Sequence, residues 1–172
     1  MSTWILLRGP AREARHWGDF PRELAERVPP ARIRGIDLPG NGILYAVPSP
    51  LHVAEMLASV RARAGTPPFT VLGLGLGGMV AAEWAHRHPA EVEACILVNG
   101  GMRPHGALHE RIQPRSYAAL LRCALQWQRH ADAERIVWRI TSNRPVDPAL
   151  LADWIAWRRE APVAASNALR QF

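Results

Sequence analysis

A glycine-dense segment between a short apolar run and an amphipathic run most constrains how this chain folds. The segment Gly73–Gly78 carries four glycines in six residues. It follows the apolar, partly β-branched residues Phe69–Leu72, which predict a buried strand. It precedes Met79–His88, where apolar residues recur at the three- and four-residue spacings of a helix. Glycines at such a junction permit a tight turn and close packing of helix on strand. The sequence therefore predicts a strand, a sharp turn and a helix.

The rest of the first hundred residues repeats this alternation. Three more segments predict buried strands, namely Trp4–Leu7, Ile33–Ile36 and Ala94–Val98, and helices are predicted at residues 17–28, 51–64 and 78–88. Alternating strands and helices with short connections indicate an α/β fold, with about four parallel strands and helices on both faces of the sheet. Cys95 falls in the last strand, where we expect an inert core thiol.

Beyond residue 101 the strand patterns stop. Residues 114–128, 131–141 and 147–170 are predicted to be mostly helical, with Asp147 as N-cap and Pro148 at the first helical position. Residues 101–114 carry Gly, Pro and His and predict a linker. We therefore divide the chain into an α/β core at 1–101 and a helical segment at 102–172.

Charge and composition narrow the class of protein. The formal net charge is +6, and all 21 basic residues are Arg. Because these Arg residues are scattered along the chain, whereas a nucleic-acid footprint clusters on one face, we expect no nucleic-acid partner. No apolar run approaches the ~18–20 residues that cross a bilayer, and no signal peptide is recognisable. These observations favour a cytoplasmic protein without a membrane partner.

The glycines also fit a second motif. Gly73-x-Gly75-x-x-Gly78 matches the Gly-x-Gly-x-x-Gly fingerprint of dinucleotide-binding domains. That fingerprint expects an acidic residue after the next strand, where this chain has Asn99. Among the seven His residues, His105 and His109 could share a helical face, but no Cys or carboxylate except Glu110 stands nearby to complete a metal site. We therefore expect no cofactor and no metal, and keep dinucleotide binding as an alternative.

Three motifs in order resemble the α/β-hydrolase fold family, and within it small bacterial esterase-like members. Arg8-Gly9-Pro10 stands where the family has His-Gly-x at a strand end. Asp37-Leu38-Pro39-Gly40-Asn41-Gly42 resembles the family's Asp-x-Pro-Gly-x-Gly loop, in which the Asp organises the loop. Gly73–Gly77 resembles the nucleophile elbow Gly-x-Ser-x-Gly. The resemblance implies that residues 102–172 form a helical lid over a partial hydrolase core.

The same resemblance predicts that the chain lacks hydrolase activity. The nucleophile position holds Gly75, which has no Oγ, while Gly73, Gly77 and Gly78 complete the elbow. The oxyanion hole would use the N–H of Leu76 and an N–H at position 10, but Pro10 has none to donate. The family's triad Asp and His follow the lid, so in a chain ending at Phe172 we expect both to be absent. These features predict a truncated, inactive relative of the serine esterases.

Two expectations concern partners. Trp127, Trp138, Trp154 and Trp157 lie in the lid and either pack it onto the sheet or line a pocket for a small apolar or acyl ligand. If the lid ends the chain, Ala94–Val98 becomes an open, uncharged edge that favours self-association or a partner. A third functional alternative is half of a split hydrolase whose Asp and His come from a second polypeptide.

Overall fold

Four parallel strands form a single sheet in the computed structural model, which describes residues 2–28, 31–99 and 116–171. The strands are β1 (Ser2–Leu7), β2 (Ala31–Gly35), β3 (Phe69–Leu74) and β4 (Val92–Val98). Their order across the sheet is β2-β1-β3-β4. Leu7 pairs with Gly73, and Leu74 pairs with Val98, so the carboxyl ends of the three strands β1, β3 and β4 lie side by side.

The main apolar core lies between this sheet and two helices, α2 (Val53–Ala64) and α3 (Leu76–Arg87). Side chains alternate along a strand, so Ile5 and Leu7 both point into this core. Trp84 of α3 is fully buried there. Its indole N–H donates to Glu91 at 2.8 Å, which satisfies the polar atom of an otherwise apolar side chain. The α/β class and the four parallel strands predicted from the sequence are thereby confirmed.

Near the N-terminus, the helix expected at 17–28 is shorter and split. Ala14–Trp17 form a 3₁₀ turn, and α1 spans Phe20–Arg27. Gly18, at a φ of 55°, separates the two. Pro21 lies in the first turn of α1, where its missing N–H costs no helical hydrogen bond.

Four helices follow among the described residues of the second half of the chain, 116–171. They are α4 (Tyr117–Leu125), α5 (His130–Thr141), α6 (Pro148–Glu160) and α7 (Ala165–Gln171). The expected N-cap is confirmed, because Asp147 Oδ1 accepts from the N–H groups of Ala149 and Leu150 at 2.9 and 3.1 Å. The stretch 147–170, predicted as mostly helical, contains two helices, because α6 ends before Pro162, which has no N–H to continue a helix. No described helix is both long and apolar enough to cross a membrane.

The outer strand β4 differs from the sequence expectation. Residues 93–98 are all exposed, with Ile96, Leu97 and Val98 at 37%, 42% and 42% of their full accessibility. Cys95 is exposed as well, so the expected core thiol is wrong. An apolar, uncharged run has the same pattern on a covered and an uncovered strand, and here the described elements leave residues 93–98 exposed. The predicted linker at 101–114 and the division at residue 101 lie outside the described residues.

Candidate functional site

The turn between β3 and α3 has the geometry of a sharp elbow. Gly75 at its apex has a φ of 57° and a ψ of −116°, a region that residues with a Cβ rarely adopt. Its N–H donates to Val98 O at 3.0 Å, and its carbonyl accepts from Gly78 and Met79 at 2.9 and 3.2 Å. The backbone of residue 75 thus ends the strand and begins the helix.

The outer glycines of the elbow are required for packing. A Cβ on Gly73 would collide with the backbone of Gly77, and a Cβ on Gly77 would collide with the carbonyl groups of Leu7 and Arg8. In contrast, a Cβ on Gly75 would make only ordinary contacts. This packing accounts for Gly73 and Gly77 without a bound pyrophosphate, and the dinucleotide interpretation remains untested.

Pro10 lies directly against the apex of the elbow. A Cβ at position 75 would stand 3.6 Å from Pro10 Cδ and 3.7 Å from Gly9 Cα. In a proline, Cδ takes the place of the amide hydrogen, so the loop after β1 presents a methylene group here. The next amide, that of Ala11, already donates to Gln171 Oε1 at 2.7 Å. Leu76, as the first residue of α3, has no intrahelical acceptor for its N–H. The assignment of Leu76 and Pro10 to an oxyanion hole stays a prediction.

Asp37 organises the loop after β2, as the sequence resemblance implied. Its two carboxylate oxygens accept from Ala14 N–H at 2.7 Å and from Ile43 N–H at 3.0 Å. The carboxylate also fills the space beside Gly42, where a Cβ would overlap it. Asp37 therefore joins the loop after β1 to the loop after β2, and both of its oxygens are occupied.

Two buried amides of α7 fasten the C-terminal helix to the same loops. Asn167 accepts from Ser49 N–H at 2.9 Å and donates to Val47 O at 3.2 Å. Gln171 donates to Pro39 O at 3.0 Å in addition to accepting from Ala11. Nothing in the local sequence pattern indicated these contacts, because a single amide in a short helix carries no periodic signal.

A buried ionic triad joins the lid to the loop after β1. Glu134 of α5, at 1% side-chain exposure, accepts from Arg12 at 2.6 Å and from Arg158 of α6 at 2.8 Å. Each guanidinium also lies over an indole ring, Arg12 over Trp154 at 4.7 Å and Arg158 over Trp127 at 4.0 Å. The two cations share one carboxylate, so removal of Glu134 leaves both buried charges unpaired.

His16 lies inside this lid contact. Its ring centroid is 5.3 Å from each of Trp154 and Trp157, and Nε2 is 3.0 Å from Arg12 Nη1. The ring also accepts from the N–H of Glu13, which is a capping contact. Burial, and then the charge of Arg12, lower the pKa of His16 to about 2, so it stays neutral at ordinary pH.

The lid tryptophans pack against neighbouring side chains and do not enclose a large pocket among the described residues. Arg or His side chains contact Trp127, Trp154 and Trp157. The ring centroid of Trp138 lies 5.0 Å from that of Trp154. The cavity at this contact measures only about 10 Å³. His105 and His109 lie outside the described residues. Within the described ranges, no three His, Cys, Asp or Glu residues are grouped to hold a metal ion.

Family comparison agrees with this architecture. A family model described as the alpha/beta hydrolase fold matches residues 9–156. The matched range includes the strand-end loop with Pro10, the Asp37 loop, the elbow at Gly75 and most of the lid. The chain belongs to the α/β-hydrolase fold family.

Individual relatives are esterases and other hydrolases. The chain is 35% identical over 83 residues, 48% of its length, to a pimeloyl-[acyl-carrier protein] methyl ester esterase of Chromobacterium violaceum. It is 33% identical over 100 residues, 55% of its length, to the esterase of that name from Nitrosospira multiformis. These segments cover 32% and 37% of the two esterases. The fold matches the crystal structure of a membrane phospholipase A with a TM-score of 0.68, at 24% identity, over 98% of this chain and 54% of that one.

Proposed function

We propose that this chain is a non-hydrolytic relative of the carboxylic-ester hydrolases. Gly75 carries the proposal, because it occupies the apex of an elbow between β3 and α3, where the family's nucleophile would stand. Without an Oγ at this position no acyl-enzyme forms. The surrounding backbone keeps the geometry of the elbow, so the change removes the reactive atom without removing the site.

Pro10 supports the same proposal independently of Gly75. Its Cδ would stand 3.6 Å from a Cβ at position 75, and by the family resemblance position 10 is the one that would supply the second oxyanion donor. Loss of one such donor costs about 2.7–4 kcal/mol of transition-state stabilisation. A hydroxyl introduced at position 75 would therefore leave the oxyanion with one of its two donors, the N–H of Leu76.

The ligand we assign is correspondingly general. The two esterases act, by their names, on a pimeloyl-[acyl-carrier protein] methyl ester. For this chain we propose an acyl or small apolar ligand, in the cytoplasm, bound without cleavage.

Hydrolysis of p-nitrophenyl acetate and p-nitrophenyl butanoate tests this function. The native chain should release nitrophenol no faster than heat-denatured protein. Gly75→Ser should stay far below an ordinary esterase, because a serine without a base to take its proton is a weak nucleophile. Gly75→Ala is the matched control, since it adds the same Cβ without the hydroxyl. Turnover by the native chain that rises with its concentration would contradict the proposal.

A second candidate is one half of a split hydrolase, and the exposed β4 favours it. Among the described strands β4 is an edge strand, and it presents the apolar side chains of Ile96, Leu97 and Val98, which form a template for a further strand. In this candidate another polypeptide supplies that strand together with the acid and base. Gly75 opposes it, because the completed site would still lack a nucleophile. The association experiment on Ile96 described below tests the pairing.

A further inference from the structure

Four arginines gather where the loop after β1 meets the lid, and each lies over a tryptophan ring. Three of them have carboxylate partners. Arg12 and Arg158 share Glu134, and Arg15 binds Glu13 and Glu160. The fourth, Arg8, forms no ion pair with any described residue. The cluster is therefore short of one negative charge, and the shortage falls at Arg8.

Arg8 is also short of hydrogen-bond acceptors. Its Nε is buried and has no partner among the described residues. The indole Nε1 of Trp17 is buried and unpartnered in the same way, and the Arg8 guanidinium carbon lies 4.9 Å from the Trp17 ring centroid. Two neighbouring unpartnered donors, one of them cationic, offer nothing to a metal ion and match a ligand that accepts.

The environment makes this unpaired charge costly. Burial, and then the charge of Arg12, lower the pKa of Arg8 to about 10, so the residue stays protonated at neutral pH. A buried cation without a counter-ion is unfavourable, and buried charges in proteins are normally paired. An anion at Arg8 would relieve both the desolvation and the repulsion from Arg12.

The position of Arg8 in the fold suits a ligand. It directly follows β1, and its carbonyl accepts from Gly77 N–H at 3.1 Å, which sets its backbone against the elbow. In α/β sheets, ligands bind outside the carboxyl ends of the strands. A single guanidinium with one indole N–H matches the charge and the two oxygens of a carboxylate.

We propose that Arg8 and Trp17 bind the carboxylate of a small organic acid. The guanidinium of Arg8 pairs with the charge, and the indole N–H of Trp17 donates to one carboxylate oxygen. The site selects the acid over its neutral ester or amide, because those derivatives leave the guanidinium without a counter-ion. This inference does not depend on whether Gly75 abolishes hydrolysis.

Thermal unfolding with butanoate, and with butanamide as the neutral isostere, tests the site. Sodium butanoate is titrated up to about 50 mM, a concentration suited to a weak ligand. Sodium chloride holds the ionic strength constant. A ligand at ten times its Kd should raise the melting temperature by roughly 3–6 °C. Butanamide should have no comparable effect. Equal shifts with both compounds, or no shift with butanoate, would overturn the proposal.

Three variants locate the effect. Arg8→Gln should lose the butanoate shift and should melt no lower than the native chain without ligand, because it removes an unpaired buried charge. Trp17→Phe keeps a ring under Arg8 and should weaken butanoate binding several-fold. Arg22→Gln, at an arginine side chain that is 63% exposed on α1, should keep the full shift. A full shift in Arg8→Gln, or its loss in Arg22→Gln, would show that butanoate acts elsewhere.

Discussion

Replacing Gly75 by alanine and replacing Gly77 by alanine should lower the stability of the fold by very different amounts. Gly75→Ala adds a Cβ whose nearest neighbours stand at 3.6 and 3.7 Å, so packing costs nothing. The remaining cost is the backbone conformation, a φ of 57° with a ψ of −116°. Such strain is worth about 1–3 kcal/mol. For a chain of this size, that corresponds to a fall in melting temperature of roughly 2–12 °C.

Gly77→Ala places its Cβ against the carbonyl groups of Leu7 and Arg8, which are backbone atoms of a buried strand end. They cannot rotate away as a side chain would. We expect a loss above about 4 kcal/mol, within the exceptional tail of single substitutions.

Urea and thermal unfolding followed by circular dichroism compare the two variants. Gly75→Ala should fold with a modest loss, and Gly77→Ala should be severely destabilised or unfolded. If Gly77→Ala were as stable as Gly75→Ala, the close approach of α3 to β1 would be wrong. If Gly75→Ala failed to fold, the ordinary van der Waals contact of a Cβ at the apex would be wrong.

Three further predictions concern the lid and the sheet edge. His16 has a folded pKa of about 2 against an ordinary 6.5, so the unfolded state takes up its proton first as the pH falls. The free energy of unfolding should therefore fall by about 1.4 kcal/mol between pH 7.5 and 5.5 on account of this residue. Urea unfolding of His16→Gln should show a correspondingly smaller fall over the same pH range. An equal fall in the native chain and in His16→Gln would contradict this. Glu134→Gln should cost about 3–5 kcal/mol by the same assay, because Arg12 and Arg158 lose their buried partner; a loss under about 1 kcal/mol, typical of exposed pairs, would contradict the triad. Ile96→Lys should reduce any self-association measured by light scattering, whereas a native chain that stays monomeric at every concentration would rule out self-pairing through β4.

The succession of strands along the chain and the elbow after β3 were predictable, because residues that are adjacent in the sequence mark each of them. Phe69–Leu72 is apolar and β-branched, and the glycines after it mark the turn. Asp147 before Pro148 is likewise a local signal, and the N-cap it predicts is present. The break after α6 was also readable, since Pro162 lies inside the stretch that was predicted to be mostly helical.

The lid contact could not be predicted from the sequence. Arg12 and Glu134 are 122 positions apart, and neither stands in a motif. The exposure of β4 was indicated only by the family resemblance, because an apolar run by itself does not say which neighbours cover it. His16 is polar at a helix start, so its burial between two indoles depends on a tertiary contact alone. Such long-range polar contacts leave no periodic trace.

Intact-mass spectrometry after reaction with a serine-directed fluorophosphonate tests the central claim most directly. The reagent forms a covalent bond with an activated serine and with nothing that a glycine provides. Because Gly75 stands at the apex of the elbow, the native chain should keep its unmodified mass after prolonged incubation. A stoichiometric adduct mapped by peptide sequencing to a serine of the native chain would contradict the account, because it would place an activated nucleophile elsewhere in the molecule.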